Sequence, residues 1–156
     1  MKHLVSALAL TALLTIPATA GTKIDDPVKF ITGVYAHWAK NQNPQEDIYT
    51  ARLKALMDLD VKEADGQVGR ANDFSFWCNC QDGDIKNAVI KGWDVPDASP
   101  ARKVVDAKFL LEGKKQDILF YFEKTAAGWK LDDVQSRLDI TWTLSVICKY
   151  GFPESK

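Results

Sequence analysis

The stretch Lys103–Glu123, KVVDAKFLLEGKKQDILFYFE, decides the fold. Its two ends, Lys103–Leu111 and Asp117–Glu123, are rich in β-branched and aromatic residues with partial alternation, which is typical of strands. Between them lies Glu112–Lys114 (EGK), and a glycine in so short a connection favours a tight turn. The pattern therefore predicts an antiparallel β-hairpin.

Further segments with strand character flank this hairpin. Ile85–Trp93 precedes it across Asp94–Pro100, a connection that contains two prolines. Trp129–Val134 follows it across the turn Thr125–Gly128. The tail Ser136–Tyr150 fits two structures, because its apolar residues alternate as in a strand while its ends carry helix start and stop signals. Of the two, we favour the helix.

Two amphipathic helices are predicted before the strands. Asp26 is a helix cap, and Pro27 occupies the first helical position, where the missing N–H costs nothing. Apolar residues then recur at helical spacing up to Trp38, and the helix should end at Asn41–Pro44 because the residue before a proline avoids the α region. A second helix is expected over Glu46–Leu59.

The segment Val61–Gly83 is rich in Asp, Asn and Gly, and it is predicted to be a long connection with at most one short strand. Two helices followed by antiparallel strands predict an α+β fold in which the helices pack on a curved sheet. Residues 21–156 are enough for a single domain with one core, since domains typically contain about 100–150 residues.

The first twenty residues have the features of a signal peptide. Met1–His3 is basic, Leu4–Ile16 is apolar, and Ala18-Thr19-Ala20 has the small residues of a signal peptidase site. Cleavage after Ala20 would leave a mature chain without a cysteine at its start for lipid attachment. Because no later segment has the roughly 20 apolar residues that a span needs, the sequence predicts a soluble periplasmic or secreted protein.

Composition narrows the classes of function. The net charge is −1 at pH 7, which argues against a nucleic-acid partner, because neutralising phosphates requires a basic surface. His37 is the one histidine of the mature chain and lies at a helix edge, where we expect a structural role. Cys78-x-Cys80 lacks the further nearby ligands of a zinc site, so neither a metal nor a cofactor is predicted.

The three cysteines are expected to form one disulfide after export, because an oxidising compartment favours pairing. A Cys78–Cys80 bridge would close a very small ring, so Cys148 is expected to pair with one of them. Cys80 is preferred as its partner, which leaves Cys78 free. The chain-entropy model gives such a long loop about 4 kcal/mol as an upper value.

Short pieces of the mature chain match a known pattern in order and spacing. They are Asp26-Pro27-Val28-x-Phe30-Ile31-x-x-x-Tyr35, Tyr49-Thr50-x-Arg52-Leu53, Asn72-Asp73-Phe74 with Gln81-Asp82, and Gly128-Trp129-Lys130-Leu131-Asp132-Asp133-Val134. On these residues the chain resembles the domain-of-unknown-function 3828 family of small exported bacterial proteins. The resemblance implies the cone-shaped fold of nuclear transport factor 2 and an envelope location, but no activity. The Cys-Asn-Cys insertion before Gln81 departs from the family pattern.

Candidate functional residues follow from this picture. Cone folds of this type sometimes bury an aspartate as a general base, and Asp73, Asp82 and Asp133 could face such a cavity. Arg52 is a possible partner, and we expect it to join Asp82 in holding the 61–83 connection against the second helix. Trp77 and Trp93 lie near loops, where aromatic side chains often mark a pocket mouth.

Three functions remain open at the level of sequence. We favour a non-catalytic module that binds a small apolar ligand or an envelope protein, because no nucleophile with a base and no metal set is visible. The alternatives are an immunity-type inhibitor of an envelope-targeting toxin or hydrolase, and a cavity enzyme that uses a buried aspartate.

Overall fold

A computed structural model describes residues 23–38, 46–138 and 140–152. The predicted signal peptide and the expected N-terminus at Gly21 lie outside the described residues. The segment Asn41–Pro44 also lies outside them, but the first helix already ends at Ala36, so its predicted continuation to Asn41 is wrong. Within them the chain is α+β, with three α-helices and five β-strands.

The first helix, α1 (Pro27–Ala36), begins as its sequence predicts. Asp26 is extended, and its carboxylate accepts hydrogen bonds from the backbone N–H groups of Val28 and Lys29. The buried residues of α1 include Ile31 and Val34, which lie three positions apart on one face of the helix.

The second helix, α2 (Ala51–Glu63), begins five residues later than predicted. The earlier residues Glu46–Ile48 form a separate short 3₁₀ turn. Thr50 sets the start, since its side chain accepts the N–H of Leu53. The connection that follows contains one more 3₁₀ turn, Arg70–Asn72, and no strand.

Five strands form an antiparallel meander in the order β1-β2-β3-β4-β5. They are β1 (Ile85–Asp94), β2 (Arg102–Leu111), β3 (Lys114–Thr125), β4 (Gly128–Ser136) and β5 (Trp142–Thr143). The predicted hairpin is confirmed as β2–β3. Glu112 and Gly113 turn it with φ of 49° and 84°, as a two-residue type I′ turn requires.

The tail combines both predicted structures. β4 extends to Ser136, and after a loop the two-residue strand β5 leads directly into helix α3 (Leu144–Tyr150). The helix therefore begins eight residues later than Ser136, because Ser136 still pairs with Ile118 and Trp142 in the sheet.

All three helices contribute to one core on one face of the sheet. Alternate residues of β2 and β3 point into it, among them Val105, Phe109, Phe120 and Phe122. Leu53 of α2 joins the same cluster. The opposite face of the sheet, which we call the outer face, is not covered by a described helix.

The strand β4 contains a β-bulge. Leu131 pairs with Phe122 and Asp133 pairs with Tyr121, so Asp132 is an extra residue between them. Leu131 and Val134 can therefore both face the core although two residues separate them, and Asp133 faces outward.

A buried carboxylate ties α2 to the connection and to α3. Asp60 is 1% exposed and accepts hydrogen bonds from the N–H of Ala71 and from Arg70 Nε. Arg70 also donates to the carbonyl oxygen of Cys148. The group satisfies the polar atoms of three segments at one place.

Candidate functional site: a groove on the outer face

The register of the strands sets the side chains of the outer face in rows that cross the sheet. One row consists of Trp93, Val104, Tyr121 and Asp133, one from each of β1 to β4. A second row consists of Lys91, Asp106, Leu119, Gln135 and Thr143. Val104 and Leu119 are buried on this face but are not members of the main core.

A groove of about 540 Å³ opens over the part of the first row from Val104 to Asp133, and Trp93 lies beside it at the β1 end of the row. Val104 and Tyr121 lie in it, and the loop after β1 contributes Val95 at one side. Arg52, from the first turn of α2, contributes a wall at the other side. The remaining lining residues are Arg102, Lys103, Phe122, Asp132, Asp133, Gln135 and Thr143.

Arg52 reaches the groove because both aspartates of the bulge bind it. Its Nε donates to Asp132 Oδ1 at 3.1 Å, and its Nη2 donates to the backbone oxygen of Asp132. The same Nη2 lies 3.5 Å from Asp133 Oδ2. Thr50 Oγ1 donates to Asp132 Oδ1 at 2.8 Å, so the cap of α2 and the bulge are joined twice.

Asp133 is held by hydrogen bonds on both carboxylate oxygens. Oδ1 accepts the N–H of Val134 at 2.9 Å and the N–H of Ser145 at 3.1 Å. Oδ2 accepts Ser145 Oγ at 2.5 Å and faces Arg52. These contacts occupy both oxygens and fix the orientation of the carboxylate in the groove.

Tyr121 and Gln135 form the second fixed pair of the groove. The Tyr121 hydroxyl donates to Gln135 Oε1 at 2.7 Å, and burial raises the pKa of this phenol above its ordinary value of 10. The amide of Gln135 is thereby oriented with its NH₂ group away from that bond.

The basic residues at the rim have acidic partners. Arg102 Nη2 lies 3.1 Å from Glu123 Oε2, and Lys103 Nζ lies 2.7 Å from Asp94 Oδ1. Together with the pairing of Arg52, these contacts balance the charges at the groove. Its surface is therefore polar without a strong net field.

The structure places the six residues named from the sequence at different sites. Arg52 and Asp133 come together in the groove, and Trp93 lies in the same row with 45% of its surface exposed. Trp77 is 2% exposed and stacks on Phe120 at 5.2 Å between ring centroids, so its placement at a pocket mouth is wrong.

Asp73 and Asp82 do not belong to the groove. Both are exposed, and the contact of Asp73 in this loop is through its backbone oxygen, which accepts from Gln81 Nε2. Arg52 binds the bulge of β4, so the expected pairing with Asp82 is wrong. The sequence offered nearby aspartates, but the β4 register decides which of them Arg52 meets.

The predicted Cys80–Cys148 disulfide is also wrong. Cys78 is bonded to Cys80, with 5.2 Å between their Cα atoms, and Cys148 is a buried free thiol. Asn79 makes this possible, because its φ of 57° is left-handed and turns the chain sharply. Its side chain accepts from Trp142 Nε1 and donates to Gln116 Oε1. So short a loop constrains little of the unfolded chain, and the gain of about 4 kcal/mol expected for a long loop does not apply.

Several residues of the groove were missed by sequence reasoning, and two local signals could have found them. The order Leu131-Asp132-Asp133-Val134 breaks strict alternation, which is the mark of a bulge. Tyr121 lies out of phase with the buried Phe120 and Phe122, which assigns it to the opposite face. Ser145 and Arg102 carried no such signal.

Comparison of the chain with known protein families, curated proteins and solved structures finds no match. Within the described ranges, no three His, Cys, Asp or Glu side chains are grouped so that they could hold a metal ion. None of the helices in this part of the chain is long and apolar enough to cross a membrane.

Proposed function

We propose that this protein is an exported, non-catalytic binding module that holds its ligand in the groove of the outer face. The observation that carries the proposal is the contrast between the two faces of the sheet. On the helix side, Phe30 makes edge contacts with Trp77 and Phe122, and Trp77 stacks on Phe120, so that aromatic rings fill the interior. On the outer side, the groove of about 540 Å³ is open to solvent.

The engagement of Asp133 favours binding over catalysis. A general base needs a carboxylate oxygen that is open to the proton of a substrate. Asp133 instead has donors on both oxygens and Arg52 beside it. The polar groups of the groove are thus fixed in place, as a recognition surface requires.

The proposed location and fold family rest on the sequence. The signal-peptide features of residues 1–20 support export to the periplasm or beyond. The order of two helices followed by an antiparallel sheet supports a cone-shaped fold like that of nuclear transport factor 2, within the domain-of-unknown-function 3828 family. Intact-mass measurement of the exported protein tests the first point, with an N-terminus at Gly21 as the expected result.

Binding at the outer face is tested with isolated cell envelope. Wild-type protein, Trp93→Ala and Tyr150→Ala are mixed with the envelope fraction, and the protein that sediments with it is measured. Tyr150 is the matched control, because it is an exposed aromatic residue on α3. We expect Trp93→Ala to sediment much less than the other two. Equal sedimentation of all three would contradict the proposal.

A further inference from the structure

Two aromatic side chains lie on the row that the groove follows, Tyr121 in its lining and Trp93 beside it at the β1 end. Trp93 and Tyr121 belong to the same row and are separated by Val104 on the strand between them. Because neighbouring strands are about 4.8 Å apart, their backbone positions are separated by about 10 Å. Two linked pyranose rings of an extended glycan cover a similar distance. The apolar faces of sugar rings stack on aromatic side chains, so this row can support successive sugars.

The polar side chains beyond Tyr121 suit a ligand rich in hydroxyl groups. Gln135 presents an amide whose NH₂ group is free of the Tyr121 bond, and Arg52 presents a guanidinium; both line the groove. Planar groups of this kind exchange hydrogen bonds with neighbouring hydroxyls. Gln135 is held by Tyr121 and Arg52 by the bulge aspartates, so little side-chain entropy is lost when a ligand binds.

The charge balance of the groove favours a neutral ligand over an anion. Arg52 is neutralised by the bulge aspartates, and Arg102 and Lys103 each contact an acidic partner. A phosphate or nucleic-acid ligand would have to displace these carboxylates, whereas a neutral sugar can bind beside them.

We propose that the groove of the outer face, together with the adjacent Trp93, binds a neutral, extended β-1,4-linked oligosaccharide, with sugar rings stacked along the row from Trp93 to Tyr121 and hydroxyls held by Gln135 and Arg52. The proposal rests on the proposed function and names the class of its ligand. An extended β-1,4 chain fits because it is a flat ribbon, whereas an α-1,4 chain curves away from a straight row.

The test is isothermal titration of the mature protein with chitotetraose, cellotetraose and maltotetraose. We expect saturable binding of at least one of the two β-1,4-linked probes and none of maltotetraose. Trp93→Ala should weaken that binding by about tenfold or more, because tryptophan is among the residues whose truncation costs most at a binding surface. Trp93→Phe should retain most of the affinity, and Tyr150→Ala should bind like wild type.

Three results would overturn the oligosaccharide proposal. They are no binding of either β-1,4-linked probe, unchanged binding by Trp93→Ala, or competition between the sugar and inorganic phosphate. If neither probe binds while Trp93→Ala still loses envelope sedimentation, the ligand is of another class, such as a protein, and the proposed function stands. If sedimentation is unchanged as well, both proposals fail.

Discussion

The carboxylates of Asp106 and Asp117 contact the same two cations on the outer face. Lys108 Nζ lies 3.4 Å from Asp106 Oδ2 and 3.7 Å from Asp117 Oδ2. Arg137 Nη2 lies 3.6 Å and 2.8 Å from the same two oxygens. Asp117 also has further hydrogen bonds from Arg137, whereas the buried Oδ1 of Asp106 has no partner among the described residues. The Asp106 carboxylate therefore has fewer hydrogen-bond donors than the Asp117 carboxylate.

This difference predicts how Asp106→Asn changes stability with pH. The pKa of Asp106 is raised above its ordinary value of 3.8, mainly because the carboxyl group is buried and also because Asp117 lies beside it. The folded state thus binds this proton more tightly than the unfolded state, and stability falls as the pH rises through the interval between the two pKa values.

An amide at position 106 carries no charge at any pH, so the variant does not pay the free-energy cost of burying a charged carboxylate beside Asp117. Asp106→Asn should raise the free energy of unfolding by about 1 kcal/mol at pH 7 and leave it unchanged at about pH 3. Urea unfolding at both pH values measures this. The matched control is Asp94→Asn, whose side chain is 75% exposed, with a change within about 0.5 kcal/mol. A loss of stability in Asp106→Asn at pH 7 would contradict the prediction.

Asp60 is predicted to behave in the opposite way. Burial alone would raise the pKa of Asp60, but the hydrogen bonds from Ala71 and Arg70 outweigh it and hold the pKa below 3.8. The stabilisation is thus present above the ordinary pKa and is lost as the pH falls through the lowered one.

Asp60→Asn should therefore cost about 2–3 kcal/mol at neutral pH, with a smaller difference from wild type in acid. Asp82→Asn is the control, and because Asp82 is exposed the change should stay within about 0.5 kcal/mol. Thermal or urea unfolding checks both variants. If both variants lowered the free energy of unfolding equally, Asp60 would not be the residue that holds α2 to the connection.

The cysteines predict a defined pattern of thiol reactivity. One thiol per chain should react with a thiol reagent before reduction, and only after denaturation, because Cys148 is buried. Burial, with the nearby charges of Asp60 and Asp133, raises the pKa of Cys148 to about 11, which further slows its reaction. Mass spectrometry of alkylated peptides should place the label on Cys148. A label on Cys78 or Cys80 in unreduced protein would be inconsistent with this structure.

The contacts between α2 and the bulge predict that Thr50→Ala lowers the free energy of unfolding more than Arg52→Ala does. Thr50 is buried, caps the helix and donates to Asp132, so Thr50→Ala should cost about 1–2 kcal/mol. Arg52 is half exposed, and Arg52→Ala should cost at most about 1 kcal/mol. Urea unfolding ranks the two variants. A larger loss in Arg52→Ala would mean that the ion pairs, rather than the cap, hold the helix to β4.

The fold was predictable where neighbouring residues carry the information. Asp26 and Pro27 specify the start of α1, and the Glu112–Gly113 turn specifies the central hairpin, since both depend on local backbone chemistry. The start of α2 was misplaced because residues 46–48 have helical character but are separated from α2 by the extended Thr50.

The candidate site was predictable only in part, because it depends on pairing between distant strands. Arg52 meets Asp132 and Asp133 from eighty positions away, and no local pattern selects these aspartates over Asp82. The disulfide was missed for a different reason. The left-handed backbone of Asn79 shortens the Cys78–Cys80 distance, and side-chain bonds to Trp142 and Gln116 hold it there.

The bulge at Asp132 also determines where the length of this chain can vary. Deleting this one residue would leave Asp133 opposite Tyr121 and Val134 opposite Phe120, but it would remove the carboxylate that binds Thr50 and Arg52. The start of α2 would thereby lose this attachment to β4. The loop 95–101 after β1 is exposed along most of its length and can accept extra residues. Related sequences should thus gain or lose residues in that loop while the spacing from Leu131 to Val134 stays constant.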